Sequence, residues 1–331
     1  MTDPFPHNKP GRDLKKLSKV LPLDFCTRAS QIYPDPSDLS ILVNGLKVLR
    51  PTTLRVNTLK SSREQIETIF TEKNIPFTHP DWYSDAFIIP SEFDEQIVNS
   101  NDFKNGLIYV QSLSSMLPPL ILNPSPGETV LDLCAAPGSK TTQMAAMMSN
   151  EGQIIANDNS RIRSYRLQGN IRIQGVTNTQ TFLGAGQVIW QRFGNVFDKV
   201  LADVPCSLEG RFNINDPKSY EQWTTKEVKK LSDRQKFLLR SAISATKKDG
   251  IIVYSTCTLS PEENEEVVDW ILKREEGNIE ILPIEIPGIT LTDSLTNWKN
   301  KTYAPEVSLS KRIIPNEVYE GFFVAKFKRI V

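Results

Sequence analysis

The sequence predicts a Rossmann-like α/β fold, in which helices cover both faces of a parallel sheet, preceded by a smaller N-terminal α/β subdomain. Three observations predict it. From about residue 106, short apolar runs alternate with helical patterns, as expected where buried parallel strands are joined by helical crossovers. One run opens into a loop of small residues that leads straight into a helix. An acidic residue closes the next run, twenty residues after the loop's glycine. Rossmann-type folds use that spacing to place a carboxylate on a ribose diol.

The 331 residues leave room for one large domain, or for a catalytic domain and a smaller one. With 39% hydrophobic and 24% charged residues the composition is ordinary for a globular protein. Basic and acidic residues balance at 39 each, so a nucleic-acid partner has to be held by local patches rather than by a whole-molecule field. No apolar run reaches the length of a membrane span, and residues 1–16 lack the apolar core of a signal peptide. We therefore expect an intracellular, cytoplasmic monomer. The four cysteines (Cys26, Cys134, Cys206, Cys257) are far apart, and only His7 and His79 supply imidazoles. This excludes most Cys/His metal patterns and most histidine-based catalysis, and no metal is expected. Taken singly, each thiol reads as a small reduced hydrophobe.

In order along the chain, the first fifty residues read as short helices. Leu54–Asn57 alternates as a strand. Ser61–Lys73 reads as a helix with Ser61 and Glu64 in capping-box spacing, and Ala86–Ile89 as a second strand. Together these predict an N-terminal helical and α/β subdomain over 1–105 and a catalytic domain over 106–331. In the latter the strands are Thr129–Leu133, Gln153–Asn157, Lys199–Asp203 and Ile251–Ser255, each a short apolar run. Helices are expected over Ser139–Met148 and Lys226–Lys247, the second with Val228, Leu231, Leu238, Ala242 and Ala245 on one face and Gly250 ending it. A further helix is expected from Ser260 as N-cap, with Pro261 first and Glu263 closing a capping box. Gly321–Phe327 reads as the final strand.

Two sites stand out. The first is the loop Cys134-Ala135-Ala136-Pro137-Gly138-Ser139-Lys140 at the carboxyl end of a strand, with Asp158 at the end of the next. One glycine does not cradle a pyrophosphate, so an NAD-type cofactor is disfavoured, and a nucleoside cofactor without phosphates such as S-adenosylmethionine suits the loop better. The second site is a pair of thiols, Cys206 in Asp203-Val204-Pro205-Cys206-Ser207 and Cys257 in Ser255-Thr256-Cys257-Thr258. If both strands run parallel to the first, both thiols reach the cofactor edge.

The stretches LRVNTLK (54–60), GLIYVQSLSS (106–115), LDLCAAPGSKTTQ (131–143), DVPCS (203–207), YSTCTLSPEENE (254–265) and GFFVAKF (321–327) resemble the Fmu/Sun (NOL/NOP/Sun) family of RNA cytosine-5 methyltransferases over most of the chain. The resemblance implies a class I S-adenosylmethionine-dependent methyltransferase fold. It also implies transfer of a methyl group to carbon 5 of a cytosine in RNA. Ribosomal RNA is favoured because the nearest resemblance is to the bacterial small-subunit branch. Transfer RNA stays open, because the chain has no room for the extra C-terminal RNA-binding domain often found in that branch. Cys257 matches the nucleophile that adds to carbon 6. Cys206 matches the thiol that assists release, and Asp203 the acid at the cytosine edge and the cofactor's methionine end. Residues Cys134 to Lys140 match the cofactor loop and Asp158 the ribose acid. Arg163, Ala185 and Gly186 are expected nearby.

Three positions depart from the family pattern. An acid expected after the next strand aligns with Ala185-Gly186, Leu208-Glu209-Gly210 follows Ser207 where glycine is usual, and Asn316 stands where a histidine is usual. For RNA contacts, the basic groups at Lys15–Lys19, Arg161–Arg172 and Lys226–Arg240 are candidates, and the resemblance of the N-terminal subdomain points to Arg55 and Asn57. The competing readings are a DNA cytosine-5 methyltransferase, which needs no second thiol, and a catalytically weak RNA-binding assembly factor.

Overall fold

The computed structural model describes residues 10–331. The expectation about an N-terminal leader, and His7, fall mainly on residues 1–9 and lie outside the described residues. Three helices come first, α1 (Pro10–Leu17), α2 (Leu23–Ile32) and α3 (Pro36–Gly45). At the start of α3 Asp35 accepts the Ser37 amide while Pro36 takes the first turn, which satisfies an otherwise orphaned donor. These helices pack on the catalytic part of the chain: Leu14, Phe25 and Leu42 share one core with Leu131, Leu239 and Phe323.

A small antiparallel sheet follows, ordered β2-β1-β3, from β1 (Thr52–Val56), β2 (Ala86–Ile89) and β3 (Ile108–Val110). It carries α4 (Arg63–Glu72), α5 (Asp94–Asn99) and α6 (Asn101–Lys104), closed over Leu54, Ile66, Phe70 and Phe87. The N-cap of α4 lies one residue later than expected, and the helix begins at Arg63 rather than Ser61. Ser62 accepts the Gln65 amide, whereas the Ser61 hydroxyl turns to the Gln65 side chain. Strand β3, three residues long, extends this sheet beyond residue 105.

The large sheet is built from α7 (Leu113–Leu122), β4 (Thr129–Asp132), α8 (Ser139–Met147), β5 (Gln153–Asp158), α9 (Arg161–Ile173), β6 (Thr179–Leu183), α10 (Ile189–Phe193), β7 (Phe197–Asp203), α11 (Thr225–Ala245) and β8 (Thr246–Thr256). After these come α12 (Glu265–Arg274), β9 (Ile279–Leu282), the short β10 (Thr292–Asp293), β11 (Asn297–Trp298), β12 (Lys301–Thr302) and β13 (Lys311–Ile313), and finally β14 (Phe322–Arg329). The order is β10-β13-β14-β8-β7-β4-β5-β6, with β9 beside β14 and β11–β12 paired apart. Strands β8, β7, β4, β5 and β6 are parallel, and β14 joins antiparallel. This is the Rossmann-like arrangement the sequence predicts, with an antiparallel edge added. One face holds α10, α11 and the N-terminal helices, and the other α7 and α8. All the parallel strands end at one edge, where ligands bind in such sheets.

Two expectations need correction. Helix α11 stops at Ala245, and Thr246 already pairs with Phe197 at the start of β8; Asp249, not Gly250, takes the positive φ of 64°. The last crossover helix starts at Glu265 rather than after Ser260. Both side chains expected to cap it are engaged elsewhere. The Ser260 hydroxyl donates to Glu209, and Glu263 accepts from the Ser207 amide and from Gln235.

Candidate active site

Strand β4 ends in Asp132, and the loop to α8 passes through Gly138 at φ 112°, a conformation only glycine takes freely. A Cβ there would press on Leu167 of α9, so the glycine also lets α9 close over the loop. The buried Asp132 carboxyl accepts the Thr141 hydroxyl at 2.6 Å, and burial pushes its pKa up to about 7. Burial, then the neighbouring carboxylates, drive the Cys134 thiol far above its ordinary range. It packs against the core of the large sheet.

A cleft opens at this edge, lined by Cys134, Asn157, Asp158, Arg163, Gly186 and Arg234 over an apolar floor of Leu133 and Leu238. Asp158 is 2% exposed; one oxygen accepts the Ser160 amide and the other faces Arg163 at 3.3 Å. Arg163 also donates to the Ala136 carbonyl at 2.5 Å, tying the acid to the loop. Asn157 donates to the Leu133 carbonyl, but its own buried Oδ1 has no partner among the described residues. Gly186 sits against Leu133 and Leu238, where a Cβ would collide with the Leu238 side chain. A buried acid beside apolar walls and a spare buried acceptor are groups that could hold a nucleoside. Ala185, by contrast, is exposed and outside the lining.

The thiols meet beside this cleft. In the β7–β8 register Asp203 lies opposite Ser255, so the loops that follow run side by side, and Cys206 Sγ lies 3.3 Å from Cys257 Sγ. The pKa of Cys206 is raised well above its ordinary value, first by that hydrogen bond and then by burial. Either sulfur can be the donor in that contact. Asp203 accepts the Ser255 hydroxyl at 2.7 Å and pairs with Lys140 at 2.7 Å, while Lys140 donates to Ser115 at 2.6 Å. The cofactor loop and the strand-end acid are thus joined directly.

Beneath the thiols lies a buried acid network that sequence reasoning missed. Glu209 accepts from Ser260 (2.7 Å), Trp223 (2.9 Å), Thr258 (3.1 Å) and the Leu259 amide (3.2 Å). Glu263 accepts from the Ser207 amide and hydroxyl and from Gln235, which also holds the Pro205 carbonyl. Burial first, then Glu209, pushes the Glu263 pKa up to about 8. These carboxyls staple the Cys206 loop to the Cys257 loop. Leu208 between them sits at φ 61°, a conformation that glycine takes freely. Asn316 accepts the Val318 and Tyr319 amides and so closes a turn.

Arg55 and Asn57 are both 1% exposed and are not surface contacts. Arg55 donates to Gln111, to Thr142 and to the Ser139 carbonyl at the start of α8, and stacks on Tyr109. Asn57 clasps the Gly106 and Gln174 carbonyls. Both tie the small sheet to the large one. Arg234, read from sequence as part of a basic cluster, instead lines the cleft one turn before Leu238. Their shared i, i+4 face was the available signal.

A family model described as 16S rRNA methyltransferase RsmB/F matches residues 119–328. The chain is 38% identical over 288 residues to the tRNA (cytosine(49)-C(5))-methyltransferase of Pyrococcus abyssi, covering 86% of this chain and 89% of that protein. It is 36% identical over 318 residues to ribosomal RNA small subunit methyltransferase F of Vibrio cholerae, covering 94% of this chain but 64% of that longer protein. A solved methyltransferase homolog protein from Pyrococcus horikoshii superposes with a TM-score of 0.83 at 32% identity, over 96% of this chain and 99% of that one.

Proposed function

The chain belongs to the RsmB/F family of 16S rRNA methyltransferases, and from that premise we propose that it methylates carbon 5 of a cytosine in RNA, using S-adenosylmethionine. Two free thiols 3.3 Å apart at the cofactor edge carry the reading. S-adenosylmethionine, when bound, supplies a methyl group on a positively charged sulfur. Residues Cys134 to Lys140, Asp158, Arg163, Gly186 and the methionine-end acid Asp203 would hold it.

Carbon 5 of cytosine is a weak nucleophile. The Cys257 thiolate adds to carbon 6, forming an S–C6 bond and moving the C5–C6 π pair towards carbon 5. Asp203, held by Lys140 and Ser255, lends a proton to N3 as negative charge develops there, and takes it back when the S–C6 bond breaks. Carbon 5 then takes the methyl group. Cys206, having given its own proton to solvent, takes the carbon 5 proton; the C5–H pair re-forms the C5–C6 double bond, the S–C6 pair returns to Cys257, and the base is aromatic again. The target base must be unstacked to reach the thiols, so a loop or bulge is the substrate rather than an unbroken helix.

We assign small-subunit ribosomal RNA as the substrate class. The second reading, transfer RNA, is favoured by the tRNA-modifying relative that the chain matches over 89% of its length. The test is incubation of wild type, Cys206→Ala and Cys257→Ala with labelled S-adenosylmethionine and total cellular RNA. Cys257→Ala should abolish both 5-methylcytosine and covalent adducts. Cys206→Ala should trap an adduct, and sequencing its RNA names the substrate. Wild-type protein that binds RNA but transfers no methyl group to any pool would replace this reading with the assembly-factor one.

A further inference from the structure

The chain as a whole is neutral, yet residues 159–197 contain five arginines and no acidic residue. The run begins just after Asp158 and ends just before Asp198. It folds into α9, β6 and α10, which together form one rim of the large sheet, with β6 the terminal strand. Arg163 is engaged with Asp158. Arg161, Arg166, Arg172 and Arg192 have no acidic partner among the described residues.

The same 39 residues hold seven of the 14 exposed large hydrophobic side chains among the described residues. Tyr165 is 65% exposed, and Trp190, at the far side of the rim, 42%. Within α9, Arg161, Tyr165, Gln168 and Arg172 follow i, i+4, i+7, i+11 spacing and make one outward stripe, flanked by the buried Ser164 and turned away from the buried Leu167. The helix starts beside the cofactor cleft and ends at the small sheet, where Lys60 donates to the Ile173 carbonyl at 2.6 Å. Its 13 residues span about 20 Å.

A merely solvated helix face mixes charges of both signs and does not collect aromatic rings. A protein partner is disfavoured too, because the cores of protein interfaces shed charge rather than gather one sign. Unpaired arginines interleaved with an exposed ring match a polyanion with unpaired bases. We propose that this acid-free rim, centred on the α9 stripe, is a docking surface for single-stranded RNA. Arg161 and Arg172 hold phosphates and Tyr165 stacks a base. The proposal rests on the reading of the chain as an RNA methyltransferase, and it assigns where the strand lies outside the catalytic pocket.

The test uses the full chain and an unstructured, fluorescein-labelled RNA oligonucleotide containing cytosine, with binding followed by anisotropy across a salt series. Arg161→Ala combined with Arg172→Ala should weaken binding several-fold and reduce the slope of log affinity against log salt by about 1.4. Tyr165→Ala should weaken it on the order of tenfold with little change of slope. Gln180→Glu, which puts an acid on the exposed rim, should weaken binding without removing any contact. All three should keep the wild-type melting temperature and affinity for S-adenosylhomocysteine, since none of these residues lines the cleft. With total RNA, KM should rise and kcat hold. Unchanged affinity and slope in the arginine double variant would overturn the proposal, even if the protein methylates RNA. Lost binding in that variant, with no methyl transfer by wild type, would uphold the rim and overturn the enzyme reading.

Discussion

Replacing Arg55 separates two roles that its position in LRVNTLK leaves open. As an RNA contact, its loss would weaken RNA binding and leave the fold intact. The structure makes the opposite demand. Arg55 is a fully buried cation with no carboxylate within reach, held by Gln111 (3.0 Å), Thr142 (2.7 Å), the Ser139 carbonyl (3.1 Å) and the Tyr109 ring (5.1 Å). Burial lowers its pKa. In Arg55→Ala the Gln111 carbonyl loses its partner inside the protein, at about 1–3 kcal/mol. The vacated stem leaves a cavity worth about another 2 kcal/mol. The expected loss is therefore roughly 3–5 kcal/mol. Arg55→Lys keeps the charge and most of the stem. A single ammonium does not reproduce the planar fork that reaches Gln111 and α8 together, so about 1–3 kcal/mol should still be lost. Urea unfolding followed by tryptophan fluorescence measures both. Cofactor affinity should fall with stability, because the Ser139 carbonyl belongs to the cofactor loop. Arg55→Lys melting like wild type while losing RNA affinity would refute the reasoning and restore Arg55 as an RNA contact.

Other expectations follow from single observations. Leu208→Gly should stabilise the fold by about 0.5–1 kcal/mol, since it removes a bulky residue from φ 61° against the entropy cost of a glycine; a lower melting temperature would show that the leucine side chain packs usefully. Glu263, raised to about 8 by burial, keeps its proton in the folded state and loses it in the unfolded chain near the ordinary carboxylate value. The folded state thus binds more protons between those values, and wild-type stability should fall as pH rises from about 5 to 8. Asp132, raised to about 7, adds a slope of the same sign. Glu263→Gln should flatten part of the dependence in melting curves, and an unaltered slope would show that Glu263 is ionised when folded. Asp158→Ala should weaken S-adenosylhomocysteine binding by about ten- to a hundredfold in calorimetry, the worth of a hydrogen bond to a charged acceptor. An unchanged affinity would move the ribose contact elsewhere.

Four of the five parallel strands were legible because they end in buried apolar runs; the edge strand β6, part exposed along its length, was not. The cofactor loop was legible for a related reason, since a backbone that approaches a ligand closely tolerates only small residues. Strand β3 was not, because three residues cannot show a period. The start of α12 misled for an instructive reason. Ser260-Pro261-Glu262-Glu263 carries every local signal of a helix start, but its serine and second glutamate are the partners of Glu209 and Ser207. A capping box is a local preference worth about 1 kcal/mol, and a buried carboxyl left without donors costs more. The tertiary demand wins, and the helix waits until Glu265.

The same competition accounts for Arg55 and Asn57, which the resemblance of the N-terminal subdomain had pointed to as RNA contacts. An arginine shows from sequence only that it carries a charge, not whether that charge meets solvent, phosphate or backbone carbonyls. What distinguishes them is how many fixed acceptors the fold places around the side chain. Arg55 has three, contributed by residues 56 to 87 positions away in the chain. Arg161, Arg166 and Arg172 have no acidic partner among the described residues and lie in a stretch without a single acid. That second property is visible in the sequence. The balanced 39 and 39 charges conceal it until the chain is read in segments. The fold then places that segment on one edge of the sheet, beside the cofactor cleft.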